Sequence, residues 1–368
     1  MARAAIRSGF HAYANEFVVP RMFSGVFKVT TLLPALAQLG SVDGNLGRKT
    51  SGAMIGKSLP PGKKATLRGS TQAQIFYQLA KVGGGKYIGV DDTASSAGSS
   101  RSSRQKSSAY VSWFEHEQPI AVENQQLDAA GGGFAVGSIV DDSTQMALEE
   151  QIEQISTDIY TGDPTESTEI WDAPLGLQQW IHGANTAAGV DRTASANQYF
   201  RGERSTGTHT LSLSFIDAVC LEGVSGADDS GTTTPLFNNS SLANLIVVPN
   251  AGYNKLKQEA LSRNVGTRQT TSMPSGGSVG YLGEWIDYNG KMIVPDPYCP
   301  ASHIFILDSS TWLFQTFSGK NFTVQKFQNL RELQPGTGQP DLTTSASVVK
   351  ARLLCFEPWK NFQGTVVT

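Results

Sequence analysis

Asp141–Pro164 reads DDSTQMALEEQIEQISTDIYTGDP and carries the clearest helical pattern in the chain. Leu148, Ile152, Ile155 and Ile159 recur at i, i+4, i+7 and i+11, which aligns them as one apolar stripe. Glu149, Glu150 and Glu153 fall on the flank that water would see. Asp142 reads as an N-cap with Gln145 in the capping-box position. Gly162 reads as a left-handed stop, and Pro164 forbids continuation. The expectation is a helix over 142–161 with an oily edge and an acidic edge. Such a helix needs a sheet or another subunit to lie on.

Upstream of it, Lys63–Leu79 (KKATLRGSTQAQIFYQL) and Lys86–Asp92 (KYIGVDD) read as strands. The run Thr93–Ser108, TASSAGSSRSSRQKSS, is low-complexity and carries Arg101, Arg104 and Lys106. It has nothing to bury and is expected to be a mobile tip. The strand AYVSWFEHE (109–117) brings the chain back, which makes a long ribbon. A two-stranded ribbon is marginal by itself in water, so its expected support is another copy of the chain.

Downstream, Leu175–Ala184 and GVDRTASANQYFRGE (189–203) read as a polar connection. LSLSFIDAVCLEGV (211–224) reads as a helix, NLIVVPN (244–250) as a buried strand, and AGYNKLKQEALSRN (251–264) as a second helix. EWIDY-NG-KMIV is the sharpest hairpin signal, because Asn289-Gly290 is the dipeptide of a type I′ turn. HIFILDSS (303–310), TWLFQTF (311–317), SVVKARLLCF (347–356) and FQGTVV (362–367) read as strands.

The 368 residues suffice for one large or two medium domains, and 38 glycines with 17% charged residues favour strands and loops over bundles. Cys220, Cys299 and Cys355 are odd in number and far apart, so they are expected as buried thiols. The sequence has no apolar run long enough to span a membrane. Residues 1–68 hold ten Lys and Arg against Glu16 and Asp43, a net of +8 that leaves −11 on the remaining 300 residues. A basic arm on an acidic body favours self-association or contact with nucleic acid.

Catalytic patterns fail one by one. AKVGGGKY around Lys86 lacks the first glycine of a phosphate loop and has Tyr87 in place of Ser or Thr. Glu115, His116 and Glu117 alternate along a strand and cannot converge on a metal. The paired aspartates Asp91-Asp92, Asp141-Asp142 and Asp228-Asp229 lack acid/base spacing, and the five histidines form no HxH or HExxH. No catalytic residue, cofactor or metal is therefore expected.

The order of elements now has a likeness. Basic arm, long hairpin, isolated long helix, mixed α/β body and returning strand together resemble the major capsid protein of tailed double-stranded DNA bacteriophages. YVSWFEHEQPIAVENQQL (110–127), TDIYTGDPTESTEIWDAPLGLQQWI (157–181), VDRTASANQYFRG (190–202) and EWIDYNGKMIVPDPYCPASHIFILDSSTWLF (284–314) are similar to family sequence. The resemblance covers nearly the whole chain and rests on order and texture.

It implies an α+β, Hong Kong 97-type capsid fold. The N-arm would be 1–48, the E-loop 49–114, the P-domain 115–204 with spine helix 142–161, and the A-domain 205–305. Residues 306–368 would return to complete the A- and P-domains. It implies pentamers and hexamers in an icosahedral shell around DNA held by non-specific contact, in a virion assembled in the bacterial host cytoplasm. Arm residues Arg3, Arg7, Arg21 and Lys28 would face a neighbour or DNA, and Arg101, Arg104 and Lys106 would meet a neighbour at the E-loop tip. The stripe Leu148, Ile152, Ile155 and Ile159 would pack the spine helix.

Met1 begins almost directly at the arm, so a separate scaffold protein or none is expected, with portal and cement proteins as further partners. Some relatives crosslink an E-loop lysine to an asparagine; Lys57, Lys63, Lys64, Lys81, Lys86 and Lys106 match by region only, and non-covalent assembly is expected. Competing readings are an encapsulin-like compartment with the same fold, a tail-tube or decoration protein, and a soluble hydrolase whose site is assembled in three dimensions.

Overall fold

A computed structural model describes residues 32, 54–55, 65–68, 72–78, 106–123, 133–164, 173–194, 197, 200–222, 243–263, 267–270, 283–316, 322–329 and 342–367. Strands β1 (Met54–Ile55), β2 (Ala65–Arg68), β3 (Gln72–Gln78), β4 (Lys106–Ser112) and β5 (Phe114–Glu123) lead into the long helix α1 (Gly133–Thr161). Helix α2 (Leu177–Trp180), the small hairpin β6 (Thr186–Ala187) and β7 (Val190–Asp191), and β8 (Glu203–Thr210) follow. Then come α3 (Leu213–Asp217), which runs on as a π-turn over Ala218–Glu222, β9 (Leu245–Val248) and α4 (Asn250–Ser262). The chain continues through β10 (Thr267–Thr270), β11 (Gly283–Tyr288), β12 (Lys291–Pro295), β13 (His303–Leu307) and β14 (Trp312–Thr316). It ends with β15 (Thr323–Val324), β16 (Gln328–Asn329), β17 (Leu342–Cys355) and β18 (Phe362–Val367).

Two larger sheets organise these strands. The central one has seven in the order β10-β11-β12-β9-β13-β18-β8. It is mixed, with β12 parallel to β9 and β18 parallel to β8. Alternate residues of β9 explain its unbroken apolar run. Leu245 and Val247 join a core with α1, while Ile246 and Val248 join a second core with α3 and α4. Both faces of the sheet are covered, so no position of LIVV can be polar. The other sheet has six strands built around β17, which pairs with β5 along ten residue positions and with β14 beyond. Helix α1 lies across this sheet.

The two sheets exchange strands at one place. Connections β13→β14 and β17→β18 cross there side by side, and Asn361 fastens the crossing. Its Oδ1 accepts from the Asp308 N–H and from Trp312 Nε1, each at 2.9 Å. Its Nδ2 donates to Thr311 Oγ1 at 3.0 Å and to the Glu357 carbonyl at 3.1 Å. A buried amide satisfied on both ends ties the sheets with little freedom to shift.

Four expectations need correction. Helix α1 starts at Gly133 rather than Asp142, so Asp142 is a water-facing residue within the helix and no N-cap. Gln145 donates to Glu149 at 2.9 Å instead of closing a capping box. The reason is packing: Val140 and Thr144 are buried and extend the stripe one helical turn at a time towards the N-terminus, which offsets the glycine content there. Gly162 does not take a positive φ; among the described glycines only Gly189 and Gly290 do. Its lack of a side chain serves close approach instead, since a Cβ would lie 2.5 Å from the carbonyl oxygens of Asp158 and Pro174.

The ribbon is not two-stranded at its base, where β2-β3-β4 form three strands. Nor does it rest only on another copy. Ile75, Tyr77, Ala109 and Val111 join the main core, the Tyr77 hydroxyl donates to Asn197 Oδ1 at 3.1 Å, and the Tyr110 N–H donates to the Ala188 carbonyl at 2.9 Å. Residues 79–105, which hold most of the anticipated tip, lie outside the described residues; its last three, Lys106–Ser108, are not a mobile tip but open strand β4, paired with β3.

The anticipated polar connection is the last correction. It contains α2 and the β6–β7 hairpin, runs up to the first residue of β8, and wraps the fully buried Arg192. One guanidinium nitrogen donates to the carbonyls of Gln179, Trp180 and His182 at 2.8–2.9 Å. The guanidinium carbon lies 5.8 Å from the Trp180 ring and 5.3 Å from that of Phe200. Burial lowers its pKa to about 9, so it stays cationic at neutral pH.

Candidate functional site

The long helix packs on β5 and β17 of the six-stranded sheet. Leu148, Ile152, Ile155 and Ile159 are all buried, as their spacing predicts, while Glu149, Glu150 and Glu153 face water. Burying four such side chains stabilises the helix–sheet contact by about 1.5–3 kcal/mol each. Apolar contact alone does not fix how far a helix slides along a sheet. Gln151, fully buried on the same face, supplies that register.

Gln151 Nε2 donates to the His116 carbonyl on β5 at 3.1 Å and to the Ser347 carbonyl on β17 at 3.0 Å. Gln151 Oε1 accepts from the Ser347 hydroxyl at 2.6 Å. This arrangement fixes the amide orientation, because the nitrogen faces carbonyls and the oxygen faces a hydroxyl. His116 Nδ1 lies 3.3 Å from the same Nε2, so the neutral imidazole is the form that suits it. Burial pushes the His116 pKa down, and the charges of Asp158 and Glu150 partly restore it. Asp158 is pushed up by burial and held back by Gln154 and His116. At the water-facing side, Gln118 Nε2 donates to Glu150 at 2.7 Å.

A cation lies behind the same sheet. Arg352 of β17 places its guanidinium carbon 3.9 Å from the Trp113 ring centroid, and burial lowers its pKa to about 10. On the sheet's open side, Lys350 pairs with Glu115 at 3.1 Å, and Glu117 is exposed. His116 faces the helix instead, so the three residues of the Glu-His-Glu run do not converge, as the strand period requires.

Ser205 Oγ sits 2.6 Å from His209 Nε2, and His209 stacks on Phe215 at 4.8 Å. The pair spans the point where the β8–β18 register shifts, so it pins a bulge. Among the described residues, no group of three or more His, Cys, Asp or Glu could hold a metal ion, and no helix is long and apolar enough to cross a membrane. The three cysteines are buried and free.

Arm residues Arg3, Arg7, Arg21 and Lys28, tip residues Arg101 and Arg104, and Lys57, Lys63, Lys64, Lys81 and Lys86 lie outside the described residues. Lys106 opens β4. Sequence reasoning missed Gln151, Ser347, Arg192 and Asn361. A glutamine on the oily stripe of α1 was the available signal for the first.

No protein-family model matches the chain, and no curated protein does. Solved structures do. The chain is similar to one from the cyanophage A-1(L) capsid asymmetric unit, at 14% identity over 87% of this chain and 96% of that one, with a TM-score of 0.51. It is also similar to the capsid of Myoviridae phage XM1, at 13% identity over 89% and 97%, with a TM-score of 0.46. The SrpI encapsulin of Synechococcus elongatus PCC 7942 matches at 10% identity over 79% and 81%, with a TM-score of 0.42. An identity of 14% speaks to architecture alone, and the cyanophage match shows that this chain has the α+β, Hong Kong 97-type fold of that capsid chain.

Proposed function

We propose that this chain is a major capsid protein whose copies self-assemble into the icosahedral head shell of a tailed bacteriophage around its double-stranded DNA. The observation that carries this reading is the shared fold with the cyanophage A-1(L) capsid chain, which extends over 87% of this chain and 96% of that one. Fold alone is an analogy for function. The charge layout agrees with it, since the helix presents Glu149, Glu150 and Glu153 to water. A shell must enclose packed polyanion without gripping it, and an acidic body suits that task.

In this reading the subunits form pentamers and hexamers through heterologous contacts that close into rings. The N-arm is 1–48, the E-loop 49–114, the P-domain 115–204 and the A-domain 205–305, with 306–368 returning through both. The E-loop tip with Arg101, Arg104 and Lys106 meets a neighbour. The arm residues Arg3, Arg7, Arg21 and Lys28 meet a neighbour or DNA without reading sequence. The protein performs no catalytic step, and its further partners are a portal protein, a cement protein and a separate scaffold protein or none. Assembly takes place in the bacterial cytoplasm and the product is a virion.

The test is the content of particles purified from phage-producing cells. Nuclease-protected double-stranded DNA inside shells of this chain is the expected result. Shells that hold protein cargo and no DNA would instead make it a compartment protein. Deleting residues 1–25 separates the two roles of the arm: if shells still form and only packaging fails, the arm does not hold neighbours together.

A further inference from the structure

Among the described residues three large apolar side chains stand exposed, Met146 at 70%, Val367 at 58% and Leu261 at 57%. Such residues scattered singly are ordinary on a protein surface. Two of them are set apart by the charge around them. Met146 lies on the outer face of α1, with Asp142 one turn before it, Glu149 and Glu150 one turn after it and Glu153 two turns after it, all exposed. The helix Gly133–Thr161 contains no Lys or Arg. Glu149 accepts from Gln145 and Glu150 from Gln118, both neutral amides, and among the described residues no Lys or Arg pairs with either. Glu149 and Glu153 are like charges at i, i+4 and repel each other.

Leu261 has the opposite setting. It is exposed near the end of α4, with Lys257 one turn before it and Arg263 just after it. Glu259 is the one acid of α4, and it is engaged within the chain. It pairs with Arg263 at 2.6 Å and accepts the Leu213 N–H at 2.8 Å. Lys255 and Lys257 leave the helix net positive.

We propose that the Met146 face of α1 is a docking surface for the Lys257–Leu261 face of α4 from a second copy of this chain. An antiparallel crossing that seats Leu261 on Met146 carries Lys257 over Glu149 and Glu150, one helical turn away, and Asn254 over Glu153. It also opposes the two helix dipoles. A parallel crossing gives Lys257 only Asp142. DNA does not suit the same face, because its phosphates would meet four carboxylates there. Two different faces make the contact heterologous, as ring closure needs. A helix pair of this size holds two copies together only within a larger interface, which is the part taken from the capsid reading.

Particles of the full-length M146C/L261C chain, oxidised mildly and run on a non-reducing denaturing gel, test the contact. Cys220, Cys299 and Cys355 are buried and free, so wild-type particles are the control. The expected result is a ladder of disulfide-linked copies from the double variant, with monomer from M146C alone. Particles that give no ladder, or a crosslink confined to one chain, or one formed by M146C alone, overturn the docking and leave the capsid reading standing. Charge reversal checks it without cysteine. K257E should cut particle yield about tenfold or more at unchanged melting temperature, and E149K/E150K/K257E should restore it. Should the double-cysteine chain not assemble, the charge variants decide, and K257E particles at wild-type yield overturn the proposal. A wild-type chain that forms no particles removes the capsid reading first and this contact with it.

Discussion

Ser347 and Gln151 lie 196 positions apart and exchange two hydrogen bonds. The Ser347 hydroxyl donates to Gln151 Oε1 at 2.6 Å, and Gln151 Nε2 donates back to the Ser347 carbonyl at 3.0 Å. Both side chains are fully buried. The pair sets the register of the long helix on β17, which the apolar stripe cannot do by itself.

Removing one member leaves the other buried with an unmet group. Ser347→Ala should therefore lower stability by about 1–3 kcal/mol, and Gln151→Leu by at least as much, since it also strands the His116 carbonyl. The double variant should cost less than the sum of the singles, with a coupling of about 1–2 kcal/mol. Denaturant midpoints of the four chains give that coupling. Strict additivity would mean the contact is incidental.

His116 gives this contact a pH dependence. Its folded pKa lies below the ordinary value of 6.5 because burial disfavours the cation. The folded state thus binds fewer protons than the unfolded one, and the stability it contributes is present above pH 6.5 and lost as pH falls below it. Asp158, raised by burial, acts oppositely but nearer the carboxylate range. The melting temperature should fall between pH 7.5 and pH 5.5, and His116→Gln should flatten that slope. An unchanged slope in the variant assigns the acid sensitivity elsewhere.

Gly162 ends the helix through space and not through handedness. Gly162→Ala would press a methyl group against the backbone oxygens of Asp158 and Pro174, both 2.5 Å from the added carbon. Neither is the mobile end of a side chain, so the backbone must move. A loss of about 2–3 kcal/mol is expected. A chain of wild-type stability would show that the turn relaxes freely.

Ala188 is the converse case. It sits at φ +53° in the two-residue turn between β6 and β7, followed by Gly189 at φ +75°. A left-handed alanine is strained by roughly 1 kcal/mol, and the Tyr110 N–H on its carbonyl helps hold it there. Ala188→Asn or Ala188→Gly should raise stability by about 0.5–1 kcal/mol, measured as a melting shift.

Much of the fold is legible in the sequence where a single period governs. The stripe Leu148, Ile152, Ile155 and Ile159, the run LIVV and the Asn289-Gly290 turn all stand where their local chemistry places them. Asn289 and Gly290 take φ values of +50° and +74°. The features that escape are those whose partners are far away. Asp142 is an excellent cap in isolation, yet Val140 and Thr144 carry the helix past it. Arg192 reads as a surface charge, and only the carbonyls of Gln179, Trp180 and His182 make it a core residue. Gln151 and Asn361 are ordinary polar letters whose roles exist only after distant elements meet. The basic arm is legible as charge, but charge does not say which surface it serves.

Electron microscopy of the purified full-length chain, beside its sedimentation profile, tests the central claim most directly. The capsid reading predicts closed shells, or five- and six-membered rings that close into shells at higher concentration or with crowding. A compact monomer or dimer that stays so across concentration, salt and crowding would contradict it.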